Sequence, residues 1–304
     1  MKRLLARLLL AVVVVLLGTA AVYQFSPDLL IEARFAAERL RAGASEHRRV
    51  VGDHEWSWLE AGEGPPVVLV HGFSGSKENW LPLMPHLVAR HRVIAVDLPG
   101  WGASQRREDG DYSIPVQAGR LVDFMGALGL DEPVLVGHSM GGHIAGIVGA
   151  RHGDAISRLI LVDAAGVRFR ANEFAHRVLS GLTPFNVDDR AGWQRLMGDL
   201  FEQPPWLPPR VVDALVARNV ANHAFHEKVI DVLRRGPDVF LLERELPLLR
   251  DPPTVIWCAN DRILDVSSVD AFRYVPGSRI EILQGCGHMP MMEVPEALAA
   301  AMAL

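Results

Sequence analysis

Ser139 stands in Gly137-His138-Ser139-Met140-Gly141, between the apolar run Val134–Val136 and a segment rich in Ala, Gly and Ile. Gly-x-Ser-x-Gly is common by chance. Between a strand and a helix it describes a turn so tight that the residue at its apex takes strained backbone geometry. Flanking glycines let neighbouring backbone approach. Strain of about 1–3 kcal/mol persists only where the surroundings hold it. The hydroxyl then sits at a helix N-terminus, where backbone N–H groups favour negative charge. A serine is a weak nucleophile at its own pKa and needs a base beside it. His288, in Gly285-Cys286-Gly287-His288-Met289-Pro290, follows the last apolar strand and suits that role. Asp261 follows the run Thr254–Cys258, at the strand end where ligand sites collect in open α/β sheets. Asp265 is the rival carboxylate; it opens the next helical segment, Val266–Tyr274, and suits an N-cap. The order Ser139, Asp261, His288 is that of a nucleophile, an orienting acid and a general base for acyl transfer.

Such chemistry also needs donors for a developing oxyanion, each worth about 2.7–4 kcal/mol. The backbone N–H of Phe73, in His71-Gly72-Phe73-Ser74-Gly75, and that of Met140 are the candidates. His71 reads as a packed residue shaping that loop, and Asp97 as ordering the turn Asp97-Leu98-Pro99-Gly100-Trp101-Gly102. No metal or cofactor is required.

The elements that must position these groups follow from hydropathy. Arg48–Val51 and Glu55–Glu60 read as a hairpin about Gly52-Asp53. Val67–Val70, Val93–Val96, Pro133–Val136, Leu159–Val162, Thr254–Cys258 and Arg279–Leu283 read as buried parallel strands. Helices are expected at Lys77–Arg90, Ile114–Leu128 and Glu293–Met302. The stretch between Val162 and Thr254 is too long for a plain crossover. Its helical patterns, Ala171–Leu182, Ala191–Phe201, Pro209–Asn222 and His223–Arg234, read as a helical cap inserted at about 167–250. The cap aromatics Phe169, Phe174, Phe185, Trp193, Phe201 and Trp206 are open between the cap's own core and an acyl pocket.

A net charge of -5 with no basic block argues against nucleic acid as a partner. Cys258 and Cys286 are too few for a disulfide framework; standing at or just past the ends of two late strands, they read as free buried thiols, with approach to each other in an oxidising compartment as the alternative. Lys2, Arg3 and Arg7 precede the uncharged run Leu8–Val22. Residues 1–24 therefore read as an uncleaved signal anchor, with the catalytic domain on the extracytoplasmic side, or as a signal peptide whose cleavage leaves a secreted protein. Residues 25–45 carry apolar positions at helical spacing and read as a linker helix lying on the bilayer or on the body of the enzyme, residues 46–304.

Together, His71-Gly72-Phe73, the turn from Asp97, Gly137–Gly142, Asp261 and Gly287-His288 resemble the α/β-hydrolase superfamily from about Val50 to the C-terminus. The resemblance implies a mostly parallel sheet with helices on both faces. The run from Ile256 to Ser267, Gly285–His288 and Met292-Glu293 look like the membrane-anchored monoacylglycerol lipases of that superfamily. Phe201–Pro209 is similar to its small bacterial lipases. The likeness implies Ser139, Asp261 and His288 as a triad hydrolysing monoacylglycerols or similar single-chain lipid esters. The same fold also supports C–C bond hydrolases of ring-cleavage products and perhydrolases.

Overall fold

A computed structural model describes residues 2–304; nothing is described of the side chains at 2, 6, 14, 16, 17 and 20. Helix α1 (Lys2–Phe25) opens the chain, and Leu4, Leu5, Leu8–Leu10, Val12, Val13 and Val15 are exposed on it. Among the described residues no helix is long and apolar enough to cross a membrane. The anchor expected over residues 1–24 includes residues outside that set.

Helix α2 (Pro27–Ala42) has proline in its first turn, Asp28 at the positive end of its dipole, and Arg39 and Arg41 at the other. Gly43, at φ 63°, closes it in the left-handed conformation. Ile31 packs on Val211 and Ala214, with Leu30, Phe35 and Leu215 around them. Arg218 pairs with Asp28 at 2.7 Å and Glu32 at 3.2 Å. This face of the helix lies on the body of the protein, while Leu29 and Leu40 remain exposed.

Eight strands come next: β1 (Ser45–Val51), β2 (His54–Ala61), β3 (Pro66–Val70), β4 (Arg92–Asp97), β5 (Val134–His138), β6 (Arg158–Val162), β7 (Thr254–Cys258) and β8 (Arg279–Leu283). They form one sheet in the order β1-β2-β4-β3-β5-β6-β7-β8. β1–β2 and β2–β4 are antiparallel and the rest parallel. Alternation along the strands feeds two cores. Val68, Ile94, Leu135 and Trp257 face helices α3 (Ile114–Ala127) and α4 (Met140–Arg151) on one side. Leu69, Val93, Val136 and Ile256 meet Trp80, Leu83, Met84 and the C-terminal Leu298 and Met302 on the other.

Between β6 and β7 lie α5 (Glu173–Leu179), α6 (Arg190–Leu200), α7 (Pro209–Val220), α8 (His223–Arg235) and α9 (Leu241–Glu245). The first is shorter than the expected 171–182, and the last has no counterpart among the helical patterns of the sequence. After β7 come α10 (Val269–Phe272), α11 (Pro290–Glu293) and α12 (Pro295–Met302). Three further departures have plain causes. The helix expected at Lys77–Arg90 is two 3-10 turns, Lys77–Trp80 and Met84–His86, because Pro82 and Pro85 remove N–H donors within it. Pro295 separates α11 from α12, so no single helix spans Glu293–Met302. The segment Val266–Tyr274 starts as a 3-10 turn and becomes helical only over α10.

The cysteines take the alternative to the preferred reading. Cys258 and Cys286 form a disulfide across 28 residues rather than remaining free. Parallel pairing of β7 with β8 sets Cys258 opposite Leu283 and so brings the start of the following loop within reach.

Candidate active site

Ser139 occupies the apex between β5 and α4 at φ 54°, ψ -120°. Its N–H donates to Val162 O (3.1 Å), and its carbonyl accepts from the N–H groups of His143 (3.0 Å) and Ala165 (2.9 Å). These bonds hold the strain in place. A Cβ on Gly141 would overlap the carbonyl oxygens of His71 and Val70, so the turn and the loop after β3 pack backbone to backbone. Across that contact, a Cβ on Gly72 would lie 2.8 Å from Ser139 Cβ.

Asp261 lies three residues past β7 and is 6% exposed. Its Oδ1 accepts from the N–H groups of Ile263 (2.8 Å) and Leu264 (3.0 Å), and its Oδ2 lies 2.7 Å from His288 Nδ1. A carboxylate accepts only, so His288 carries its proton on Nδ1 and leaves Nε2 free as a base. Among the described hydrogen bonds none joins Ser139 Oγ to His288; both side chains open onto one cavity. Asp265 accepts from Ser267 N–H at 3.0 Å and caps the turn at Val266, away from His288.

The N–H groups of Phe73 and Met140 donate to no acceptor among the described residues. Met140 is the first residue of α4, where a helix leaves its N–H groups unused. The Phe73 ring is fixed against Trp101, Phe185 and His226, with centroids 5.0, 4.8 and 5.3 Å away.

Two histidines support this arrangement from outside it. His71 accepts from Leu98 N–H at Nε2 (3.1 Å), so its Nδ1 donates to Gly72 O (2.7 Å). Burial holds its pKa below the ordinary value and keeps it neutral. His138 donates from Nε2 to the carbonyl of His288 (2.7 Å), with the two rings 4.7 Å apart. Burial, then the neighbouring His288, holds its pKa well below normal. Asp97 orders its turn as expected: it pairs with buried Lys77 (2.8 Å) and accepts from the N–H groups of Lys77 (2.7 Å) and Ala103 (2.8 Å).

Asp163 escapes notice in the sequence. It stands one residue past β6, is fully buried, and accepts from Cys258 N–H (2.8 Å) at Oδ1 while Oδ2 has no partner. Burial first, then the charges of Asp261 and Glu293, pushes its pKa well above the usual carboxylate range. Its position past a strand end matches that of Asp261, which was the available signal.

The cavity holds about 520 Å³. Gly72–Ser76, Ser139 and His288 line one part of it, and Phe185, Trp193 and Phe201 from the β6–β7 insertion another. Phe174 packs behind Phe185, and Trp206 is 82% exposed and belongs to neither a core nor the cavity. A third wall comes from α2, through Leu30, Ile31, Arg34, Phe35 and Glu38. The sequence marks α2 as amphipathic but not as part of the site. No cluster of three potential metal-binding side chains occurs among the described residues.

The family model described as alpha/beta hydrolase family matches residues 67–301. The monoacylglycerol lipase abhd6-A of Xenopus laevis is 29% identical over 290 residues, covering 91% of this chain and 86% of that one. Lipase 3 of Moraxella sp. (strain TA144) is 27% identical over 236 residues, covering 76% of this chain and 73% of that one. A crystal structure of a membrane phospholipase A, described as a bacterial virulence factor, is 37% identical with a TM-score of 0.87 and covers 98% of this chain and 97% of its own. The chain belongs to the alpha/beta hydrolase family, as a member of the lipase and esterase type.

Proposed function

We propose that this chain is a membrane-associated serine hydrolase that cleaves carboxylic esters of single-chain lipids, monoacylglycerols foremost, through an acyl-enzyme on Ser139. The observation that carries the reading is that Ser139 and His288, the latter bonded to Asp261 at 2.7 Å, share one largely apolar cavity of about 520 Å³. His288 Nε2 takes the proton of Ser139 as Oγ attacks the ester carbon. The Phe73 and Met140 N–H groups receive the oxyanion, where preorganised donors act without reorganising. His288 then gives its proton to the leaving alcohol, and the acyl chain remains on Ser139 in the cavity. Water, deprotonated by the same imidazole, releases the acid. Asp261 stays ionised and holds the tautomer throughout.

The N-terminal segment supports membrane association. Its apolar side chains are exposed on α1, and Lys2, Arg3 and Arg7 favour an N-terminus on the cytoplasmic side. The disulfide suits a catalytic domain, residues 46–304, in an oxidising compartment across that membrane. Cleavage after the apolar run would instead yield a secreted form with the same domain.

A second reading, acyl-ester cleavage in phospholipids, is favoured by the 37% identity to the membrane phospholipase A, which extends over 98% of this chain. Both are tested with the full chain in detergent, using p-nitrophenyl esters, monoacylglycerols and phospholipids of graded chain length beside Ser139→Ala. Serine-dependent turnover that peaks on medium or long monoacylglycerols is the expected result. Faster acyl release from phospholipids selects the second reading. Turnover retained in Ser139→Ala overturns the triad, and no turnover of any ester moves the chemistry to C–C bond or peracid substrates. A truncation for comparison starts at Pro27 and keeps α2, because α2 lines the cavity.

A further inference from the structure

The loop that carries His288 is tied to the insertion by a side chain that touches neither Ser139 nor the cavity. Glu293, at the end of α11, accepts from Gly287 N–H at Oε2 (2.8 Å). Its Oε1 accepts from the N–H groups of Glu202 (2.8 Å) and Gln203 (3.2 Å), just past α6. A backbone bond runs beside it, from His288 N–H to Leu200 O (2.7 Å). The two segments are in direct contact: a Cβ on Gly287 would lie 2.8 Å from Leu200 O and 2.9 Å from Glu202 N. Leu200 and Phe201 line the cavity on one side of this tie, and His288, Met289 and Met292 on the other.

We propose that Glu293 is a positioning residue: its carboxylate locks the His288 loop onto the 200–203 segment and so fixes the imidazole between Asp261 and Ser139. The proposal rests on the reading of His288 as the general base. Only an ionised carboxylate can do this. It offers acceptors on both oxygens, whereas an amide offers one oxygen and points N–H groups at N–H groups on the other side. An unmet donor at Gly287 or Glu202, both part-buried, releases the loop.

The test compares full-length wild type with Glu293→Gln in detergent by two readouts. The first is the low-field imidazole proton resonance of His288 Nδ1–H, observed in protein with labelled histidine; it reports the Asp261–His288 bond whether or not any ester is turned over. The second is the kcat and KM for p-nitrophenyl acetate and for a long-chain ester. We expect the resonance to broaden or vanish and kcat to fall roughly 10–100-fold on both esters, as for a slightly misplaced catalytic group. KM should stay within about twofold of wild type, because substrate contacts are untouched. An unchanged resonance with unchanged kcat overturns the proposal. So does an effect confined to the KM of the long ester, which would make Glu293 a shaper of the pocket. If Glu293→Gln does not fold, Glu293→Asp keeps the charge but is too short to span both segments, and the same readouts apply. Collapse of both variants also overturns it, by making the role one of stability alone. Loss of the resonance in a protein whose wild type hydrolyses no ester leaves the positioning role standing and refutes the ester-hydrolase reading.

Discussion

Replacing Gly72 by alanine measures how little room the proposed nucleophile has. The added methyl would lie 2.8 Å from Ser139 Cβ, 3.1 Å from His138 Nδ1 and 3.3 Å from Ser139 Oγ. Carbon atoms at optimal separation sit about 3.5–4.0 Å apart, so something must move by more than half an ångström. Ser139 is held by three backbone hydrogen bonds and His138 by its bond to His288 O. The Gly72 loop is held by His71 Nδ1 and by Gly75 N–H, both bonded to Gly72 O. Being a loop, it is the softest of the three, and its displacement carries the Phe73 N–H away from the oxyanion. A full ångström of misplacement costs about 10²-fold, and outright loss of one donor about 10²–10³-fold. For Gly72→Ala we therefore expect kcat to fall between about 10- and 10³-fold, with KM within about threefold because the walls of the cavity from the insertion and α2 are unchanged. Steady-state hydrolysis of a p-nitrophenyl ester gives both constants, and a thermal melt by circular dichroism checks the fold. A kcat within about twofold of wild type would refute the reasoning, since it would mean that the loop yields without moving the donor.

Asp261→Asn should lower kcat by about 10⁴-fold, because an amide next to Nδ1 favours the wrong tautomer. Asp265→Asn should stay within about twofold of wild type, since Asn also caps a helix and, among the described hydrogen bonds, the Asp265 side chain accepts only from Ser267 N–H. Ester hydrolysis by the two variants side by side ranks them, and the reverse order moves the acid to Asp265. The pH dependence of stability should expose Asp163, whose carboxyl is raised in the fold above its value in the unfolded chain. The folded state then keeps a proton that the unfolded state has lost. This contribution is fully present below about pH 4 and is lost as pH rises through the folded pKa. Asp163→Asn should remove that loss, so urea unfolding at pH 5 and pH 8 should show the variant gaining on wild type at the higher pH. Parallel pH slopes for the two proteins would contradict a neutral Asp163.

The parts of the site that were legible in the sequence are those in which local sterics dictate residue type. Only glycine fits where α4 meets the loop after β3, and only a residue fixed on both sides holds φ 54° at Ser139, so Gly137–Gly141 was readable once set between a strand and a helix. The pairing of Asp261 with His288 was readable because parallel strands deliver loops to one edge of the sheet, so the loops after β7 and β8 must converge. The same logic applies to Asp163 and to the cysteines, yet local pattern alone does not carry it that far. Register between β7 and β8 sets Cys258 opposite Leu283 and so decides the disulfide, and register is a property of paired strands that no single segment displays. The break of the expected helix at Pro82 and Pro85 was legible but outweighed by apolar spacing. A helical period records only that a face is buried, and here the apolar residues of Lys77–Arg90 are buried by two short turns instead.

The contribution of α2 was hidden for a different reason. Its apolar face has the same pattern whether it meets lipid, a core or a substrate, and burial alone separates these. In the fold that face serves both a core and the cavity. Ile31, 6% exposed, packs with Leu30 and Phe35 against Val211 and Ala214, and these three together with Arg34 and Glu38 also line the cavity that Ser139 and His288 line. The helix that directly continues α1 is thus a wall of the proposed acyl site, joined to α7 by the ion pairs of Arg218 with Asp28 and Glu32. Those pairs are half-exposed and weak individually, so α7, packed against both α2 and the lining residues of the insertion, is where the N-terminal segment and the cavity are mechanically connected. Any movement of α2 on α7 changes the cavity's width without displacing Ser139, Asp261 or His288, which are held by the sheet and its loops. On the proposed function, changes at the α2–α7 contact are therefore expected to act on KM for long esters, and changes at Gly72, Asp261 or Glu293 on kcat.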